Sequence, residues 1–277
     1  MIPKKIHYCW FGEKDLPDDY KKNIETWKKY MPTYEIIEWN EKNYDCNKNE
    51  YTKAMLKEKK WAFLTDYVRL DIIYNYGGIY LDTDVEVIKS FDDLLINDAF
   101  MGLEYENYVN TGIGFGAIKG NEEIKKNKEK YENLEIYKNG ELNLINCPNI
   151  TTGILKEDGA KLDGKIENIK GVTIYPTEYF CPMNYSTGEI KITPNTYSIH
   201  KYSMSWGSFY RRKKIIIERK LLRYFNEKVS KTIVRIILFP FSFYEKLESN
   251  GLKKTINYYI KKLKKKVWYE NWDSYMV

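Results

Sequence analysis

The chain has 277 residues, 45 Lys+Arg against 39 Asp+Glu, a formal net charge of +6 and 43% hydrophobic residues, and 26 of its residues are tyrosine. This balance excludes collagen-like, coiled-coil and disordered classes and leaves one large globular domain, or a domain with an appendage. The modest total hides an asymmetry: residues 1–208 hold 27 basic against 33 acidic residues, net −6, and residues 209–277 hold 18 against 6, net +12.

In chain order, residues 6–11 form a continuous apolar and aromatic run ended by Gly12, the pattern of a strand buried on both faces. Asp18 is placed to cap a helix whose apolar positions Tyr20, Ile24, Trp27 and Met31 recur at helical spacing, with Pro32 as its stop. Residues 34–39 read as a second strand, and a Lys-rich surface helix follows. Trp61 to Tyr76 reads as a helix with Leu64, Tyr67, Val68 and Ile72 on one side, ended by Gly77 and Gly78. Ile79-Tyr80-Leu81 starts another buried strand that runs into Asp82-Thr83-Asp84. Shorter strands are expected at residues 100–103, 113–118, 172–175 and 197–200, and residues 119–137 read as a charged helix. Alternation of strands and helices indicates an α/β sandwich. From Phe209 the pattern becomes basic and amphipathic, giving two expected parts: a catalytic body over 1–208 and a basic helical extension over 209–277. The apolar stretch 233–244 is broken by Arg235 and Pro240 and is shorter than the roughly 20 residues a spanning helix needs.

Cys9, Cys46, Cys147 and Cys181 are too dispersed for a CxxC metal or redox pair, and a chain of this size needs no disulfide staples; a reducing, cytoplasmic setting is expected. The N-terminus lacks the apolar run and cleavage site of a secretory signal.

Asp82 and Asp84 are the sharpest chemical signal. A buried strand delivers two carboxylates at its carboxyl end, where open α/β sheets bind ligands. On a regular strand, residues i and i+2 share a face, so both can approach one Mg²⁺ or Mn²⁺. Without such a partner the pair would be a solvated surface feature. Asp66 and Arg69, at i,i+3, are either an ordinary helical ion pair or groups for substrate hydroxyls and phosphate. Trp10, at the exit of the first strand, is a core residue or a stacking surface for a base. His200 ends the alternation Tyr197-Ser198-Ile199-His200 with Trp206 six residues on, and is a structural histidine or a ligand for metal or diphosphate. Dinucleotide and P-loop glycine patterns are absent, since Gly112-Ile113-Gly114-Phe115-Gly116 fits neither spacing, and no Gly-x-Ser-x-Gly elbow occurs.

Taken together, residues 2–12, then Asp66-Tyr67-Val68-Arg69, then residues 76–84 resemble the DXD-containing glycosyltransferases of family 32, which include bacterial capsular polysaccharide transferases and yeast α-mannosyltransferases. The likeness is more distant to the glucosylating domain of large clostridial toxins. It is strong over residues 2–100 and looser to about 208. The resemblance implies a GT-A fold, a Rossmann-like, mixed but mostly parallel sheet flanked by helices. It implies retention of configuration, a nucleotide-sugar donor such as a UDP-sugar, Mn²⁺ or Mg²⁺, and a glycan or lipid-linked saccharide acceptor in bacterial surface polysaccharide synthesis. By position, Trp10 would stack on the donor base, Asp66 and Arg69 would hold sugar and diphosphate, and Tyr80 would line the donor pocket. Asp82 would contact ribose or sugar and share the metal, Asp84 would be its principal ligand, and His200 and Trp206 would approach the metal-diphosphate. Relatives often carry a second histidine or a tryptophan after that histidine, where this chain has Lys201-Tyr202.

Two other readings compete. Leu81-Asp82-Thr83-Asp84-Val85 also fits a haloacid dehalogenase-type phosphatase, which needs a downstream lysine and a later acidic pair; Asp92-Asp93 comes too soon. The basic tail alone fits a module binding anionic lipid or nucleic acid. With an acidic body carrying a full donor-site constellation, the tail is expected to be an adjunct that meets an anionic membrane surface rather than nucleic acid.

Overall fold

The computed structural model describes residues 1–105, 107–204, 207 and 209–272. The strands are β1 (Lys5–Cys9), β2 (Glu35–Trp39), β3 (Gly78–Tyr80), β4 (Val85–Val87), β5 (Ala99–Tyr105), β6 (Tyr108–Asn110), β7 (Phe115–Ala117), β8 (Tyr137–Lys138), β9 (Glu141–Leu142), β10 (Glu167–Ile169), β11 (Val172–Tyr175) and β12 (Ser198–His200). The helices are α1 (Asp18–Tyr30), α2 (Glu50–Lys57), α3 (Trp61–Tyr76), α4 (Glu122–Glu132), α5 (Cys147–Glu157), α6 (Thr177–Phe180), α7 (Phe209–Leu222), α8 (Glu227–Ile237) and α9 (Phe239–Trp272). Two compact units result: Met1–Tyr185 with Glu189–Trp206, and Ser186–Gly188 with Gly207–Val277.

In the first unit an eight-stranded sheet has the order β10-β11-β5-β7-β3-β1-β2, with β6 beside β5. The pairings make β11, β5, β3, β1 and β2 run one way, against β10, β7 and β6. Alternate side chains leave the strands on opposite faces. Ile6, Tyr8, Ile79, Leu81 and Phe100 join α1 in one core, and Cys9, Tyr80, Met101 and Leu103 join α2 to α5 in the other. Helices on both faces of a mostly parallel sheet are the layered solution that the alternating sequence demands.

Local details depart from the sequence reading. Asp18 is not a cap: Pro17 occupies the N-cap position of α1 without a side-chain bond, and Asp18 pairs instead with Lys21 at 3.0 Å. Asn146 caps α5 by accepting from the Asn149 amide, with Pro148 in the first turn; this helix was not expected. After α3, Gly77 and Gly78 take φ of +66° and +110°, and a Cβ on either would lie 2.8 Å from backbone atoms of Lys119 or Lys5. Only glycine allows that close return into β3.

The second histidine, His7, is wholly structural. The Trp39 indole N–H donates to Nδ1 at 3.0 Å, leaving Nε2 to donate to the Gly77 carbonyl at 2.9 Å. Burial lowers the His7 pKa from 6.5 to about 4, against the Gly77 hydrogen bond. Between those values the unfolded chain binds more protons, so stability is complete at neutral pH and lost as pH falls. The wild-type chain is expected to lose about 2 kcal/mol from this group between about pH 7.5 and 5. Urea titrations of His7→Gln across that range should show a shallower slope; parallel slopes would refute the assignment.

In the second unit, α9 is interrupted at Gly251, whose φ of 73° is outside helical space. Its two arms return on one another, with Ser242 and Tyr259 hydroxyls 2.9 Å apart and Thr255 donating to the Lys246 carbonyl at 2.8 Å. No helix among the described residues is long and apolar enough to cross a membrane.

Candidate active site

Strand β3 stops at Tyr80, so Asp82 and Asp84 do not lie on a regular strand as expected. They occupy a tight turn, in which the Val85 amide donates to the Asp82 carbonyl at 3.0 Å. Beyond the turn, β4 pairs antiparallel with β12 and sets His200 opposite Val85. That pairing, rather than i,i+2 spacing, gathers the site. Single ligand atoms of Asp82, Asp84 and His200 all lie within 4.8 Å of one another.

Asp82 is held from below. Its Oδ1 accepts from the Tyr80 hydroxyl at 3.1 Å and lies 3.4 Å from Arg69 Nη2. The same Nη2 is 3.0 Å from Asp66 Oδ1, and the guanidinium stands over the Tyr80 ring with its carbon 5.0 Å from the centroid. Arg69 is buried, its Nε donating to the Thr65 carbonyl at 3.2 Å. Burial pushes Asp66 up to about 6 even against the Arg69 charge, and burial likewise raises Asp82, with Arg69 opposing and Asp84 adding to the rise.

Asp84 is held differently. Its Oδ2 accepts from the Ser203 amide at 2.8 Å and the Ser203 hydroxyl at 3.0 Å, and its Oδ1 lies 3.4 Å from His200 Nε2. Burial acts to raise the Asp84 pKa, but the His200 charge and the Ser203 hydrogen bonds outweigh it and hold the carboxyl at about 2. Burial acts to lower His200; the Asp84 carboxylate and its hydrogen bond overcome this and raise the imidazole well above its usual value. The two aspartates of one motif thus sit in opposite environments.

Trp10 stands at the edge of this cluster. Its indole N–H donates to the Lys14 carbonyl at 2.6 Å, and its ring centroid is 5.5 Å from that of Tyr20, whose hydroxyl meets Ser203 Oγ at 3.0 Å. Trp206 lies outside the described residues.

Four further residues enter that the sequence did not single out. Glu104, buried on β5, places Oε1 3.8 Å from His200 Nδ1, and its pKa is raised by burial with His200 opposing. Ser203 and Tyr20 connect Asp84 to Trp10. Gly112 accepts the Asp82 amide at 2.9 Å, and a Cβ there would lie 2.1 Å from Asp82 Oδ2 and 2.7 Å from Arg69 Nη1. Its place in a glycine-rich run was the one available signal. Gly112→Ala is therefore expected to displace Asp82 or Arg69 and to cost about 1–3 kcal/mol, the range for overpacking; an unchanged thermal midpoint with unchanged donor binding would contradict it.

The donor set suits a divalent cation. The two carboxylates match the preference of Mn²⁺ and Mg²⁺ for oxygen, and the imidazole adds a nitrogen donor of the kind that transition metals accept. The cationic partners of Asp82 and Asp84 among the described residues are Arg69 and His200. The lysine that a phosphatase of the haloacid dehalogenase type requires there is not one of them.

With this geometry in view, residues 17–101 match the family model of the glycosyltransferase sugar-binding region containing the DXD motif. That match falls on the part of the chain whose motifs resemble the DXD-containing glycosyltransferases of family 32. It is 30% identical over 105 residues to mannosyl phosphorylinositol ceramide synthase of Saccharomyces cerevisiae, covering 36% of this chain and 27% of that protein. It is 31% identical over 125 residues to an uncharacterized glycosyltransferase of Acanthamoeba polyphaga mimivirus, covering 41% of this chain and 50% of that protein. The chain thus spans half or less of these relatives. Among solved structures, the PaToxG glycosyltransferase aligns with a TM-score of 0.47 at 22% identity, over 59% of this chain and 72% of that one.

Proposed function

We propose that the chain transfers a hexose from a nucleotide-sugar, a UDP-sugar, to a glycan or lipid-linked saccharide acceptor, with retention of configuration, in bacterial surface polysaccharide synthesis. The observation that supports this most is the convergence of Asp82, Asp84 and His200 within 4.8 Å, directly beside the buried Asp66–Arg69 pair. The body formed by residues 1–208 is the catalytic part in this reading. The extension 209–277 serves to meet an anionic membrane surface on the cytoplasmic side, where such acceptors are made.

Asp84 and His200, with Asp82, are the residues that would hold Mn²⁺ or Mg²⁺. When bound, the cation supplies positive charge to a departing diphosphate. The chain's own groups do the rest. Ser203 fixes the Asp84 carboxylate with two hydrogen bonds, which preorganises it before any ligand arrives. Arg69 is buried between Asp66 and Asp82, so it acts on the donor by aiming Asp82, a less direct role than the resemblance implies. Tyr80 orients the same carboxylate from its other side, and Trp10 offers an aromatic surface for the base. Retention without a placed nucleophile fits front-face attack, in which the leaving phosphate takes the acceptor's proton.

Release of UDP from UDP-sugars in the presence of Mn²⁺ tests the reading. Hydrolysis that stops on chelation and returns on re-addition is the expected result. A folded chain that hydrolyses no nucleotide-sugar, or does so equally in chelator, would overturn it. Because a metal-bound imidazole must be deprotonated, Mn²⁺ binding should also release a proton and weaken as pH falls; titration calorimetry in buffers of different ionisation enthalpy reads this directly.

A further inference from the structure

In the second unit, helix α8 carries two unlike stripes. Ser230, Val234 and Leu238 are buried at i, i+4 and i+8 and form its packed side. Val229, Ile236 and Ile237, at i, i+7 and i+8, widen the apolar side beyond that packed row with exposures of 39%, 70% and 51%, and Phe239 at the start of α9 follows at 49%, its ring partly packed on Phe243 and Tyr259. Lys228, Lys231 and Arg235, at i, i+3 and i+7, line the exposed side of the helix, with Lys228 and Arg235 flanking the apolar arc on the side of Ile236. The helix is ordered from its start, since Asn226 caps it by accepting from the Val229 amide at 3.0 Å. An apolar arc wider than the packing needs, bordered by a basic stripe, is the pattern of a helix that lies in a membrane interface.

We infer that α8 is the docking face through which the chain binds an anionic lipid surface, with Val229, Ile236, Ile237 and Phe239 entering the acyl boundary and Lys228 and Arg235 meeting the headgroups. This gives residues to the membrane contact in the proposed function but does not depend on the transfer chemistry. Charge selects the occupant. Residues 209–277 carry net +12, so two copies joined at this stripe would oppose like charges. Nucleic acid would satisfy the lysines and arginines but has no use for three exposed aliphatic side chains. An anionic bilayer satisfies both stripes together, each basic residue near its surface adding about 1 kcal/mol. Glu227, ion-paired with Lys231, lies near the packed side and removes one of the three charges.

Flotation of the full chain with vesicles tests this, using a zwitterionic lipid alone and the same lipid with an anionic one added. The wild-type chain is expected to float with the anionic vesicles about tenfold more strongly than with neutral ones, and less in high salt. Ile236→Ser/Ile237→Ser should lose about tenfold or more of that binding, as should Lys228→Ala/Arg235→Ala, with thermal midpoint and helicity unchanged. Equal flotation with both vesicles, no flotation at all, or full binding by the serine variant would overturn the inference. So would a concentration-dependent dimer that the serine variant dissolves without any lipid binding. Since UDP release is measured separately, failure here and failure of the transferase reading are distinguishable.

Discussion

Asp84→Asn is expected to lower UDP release and sugar transfer by about a hundredfold or more while leaving the chain folded. The reason lies in the two groups around that carboxyl. An asparagine oxygen can still accept from the Ser203 amide and hydroxyl, which lie 2.8 and 3.0 Å away, so the local backbone is retained. His200 loses the negative partner that raises its pKa and can respond by releasing its proton, which removes the unpaired buried charge that would otherwise be costly. What is lost is a charged oxygen at the centre of the cluster. Circular dichroism melts alongside a UDP-release assay check both halves. Wild-type turnover in this variant would remove Asp84 from the site, and an unfolded variant would show that its role is structural.

Arg69→Met should have the largest effect on stability. The methionine approximates the volume of the arginine stem, but it leaves the buried Asp66 and the partly exposed Asp82 without their cation, a loss on the order of 3 kcal/mol. The sign of its pH dependence is fixed. A carboxyl whose folded pKa lies above its unfolded value binds more protons in the folded state, so it destabilises as pH rises and stabilises as pH falls. Asp66 already sits at about 6 with Arg69 present, and without it the pKa must rise further. Relative to wild type, the variant is therefore expected to gain stability from about pH 8 to pH 5.5, so that the gap between their urea midpoints narrows. The double variant Arg69→Met/Asp66→Asn should recover much of the loss. A variant as stable as wild type at both pH values would show that the pair is solvated and not the support for Asp82.

How much of this was legible depends on the range of the forces involved. Helix α3 was legible to its ends, Trp61 and Tyr76, because apolar spacing and the following glycines are local signals. The same spacing put Asp66 and Arg69 on one side of it. The acidic pair was visible as chemistry but not as geometry: the chain leaves the strand at Tyr80, and the carboxylates are aimed by a turn. Glu104 is invisible locally, since nothing in Leu103-Glu104-Tyr105 announces a buried carboxylate near a histidine almost a hundred residues away. Gly112 is another such case, a glycine required not by its own turn but by the crowding of Asp82 and Arg69. Helix α5 had its signals in Asn146 and Pro148 and could have been found. Its consequence, Cys147 Sγ 3.9 Å from Arg69 Nη1, could not.

The pairing of β4 with β12 means that the cluster is completed by residues 119 positions apart, as the Ser203–Asp84 contact measures. Such contacts of high sequence separation close late, after the loop entropy between them has been overcome. A growing chain that has emerged only as far as Tyr197 carries both aspartates and the whole central sheet, yet neither the imidazole nor the serine that fix Asp84. In the proposed function, cation affinity would then be gained in one step with the docking of β12. If the cluster holds a cation as proposed, metal binding by a stalled or trimmed chain would report whether β12 has docked, and ribosome-bound intermediates would be silent in that assay until that strand arrives.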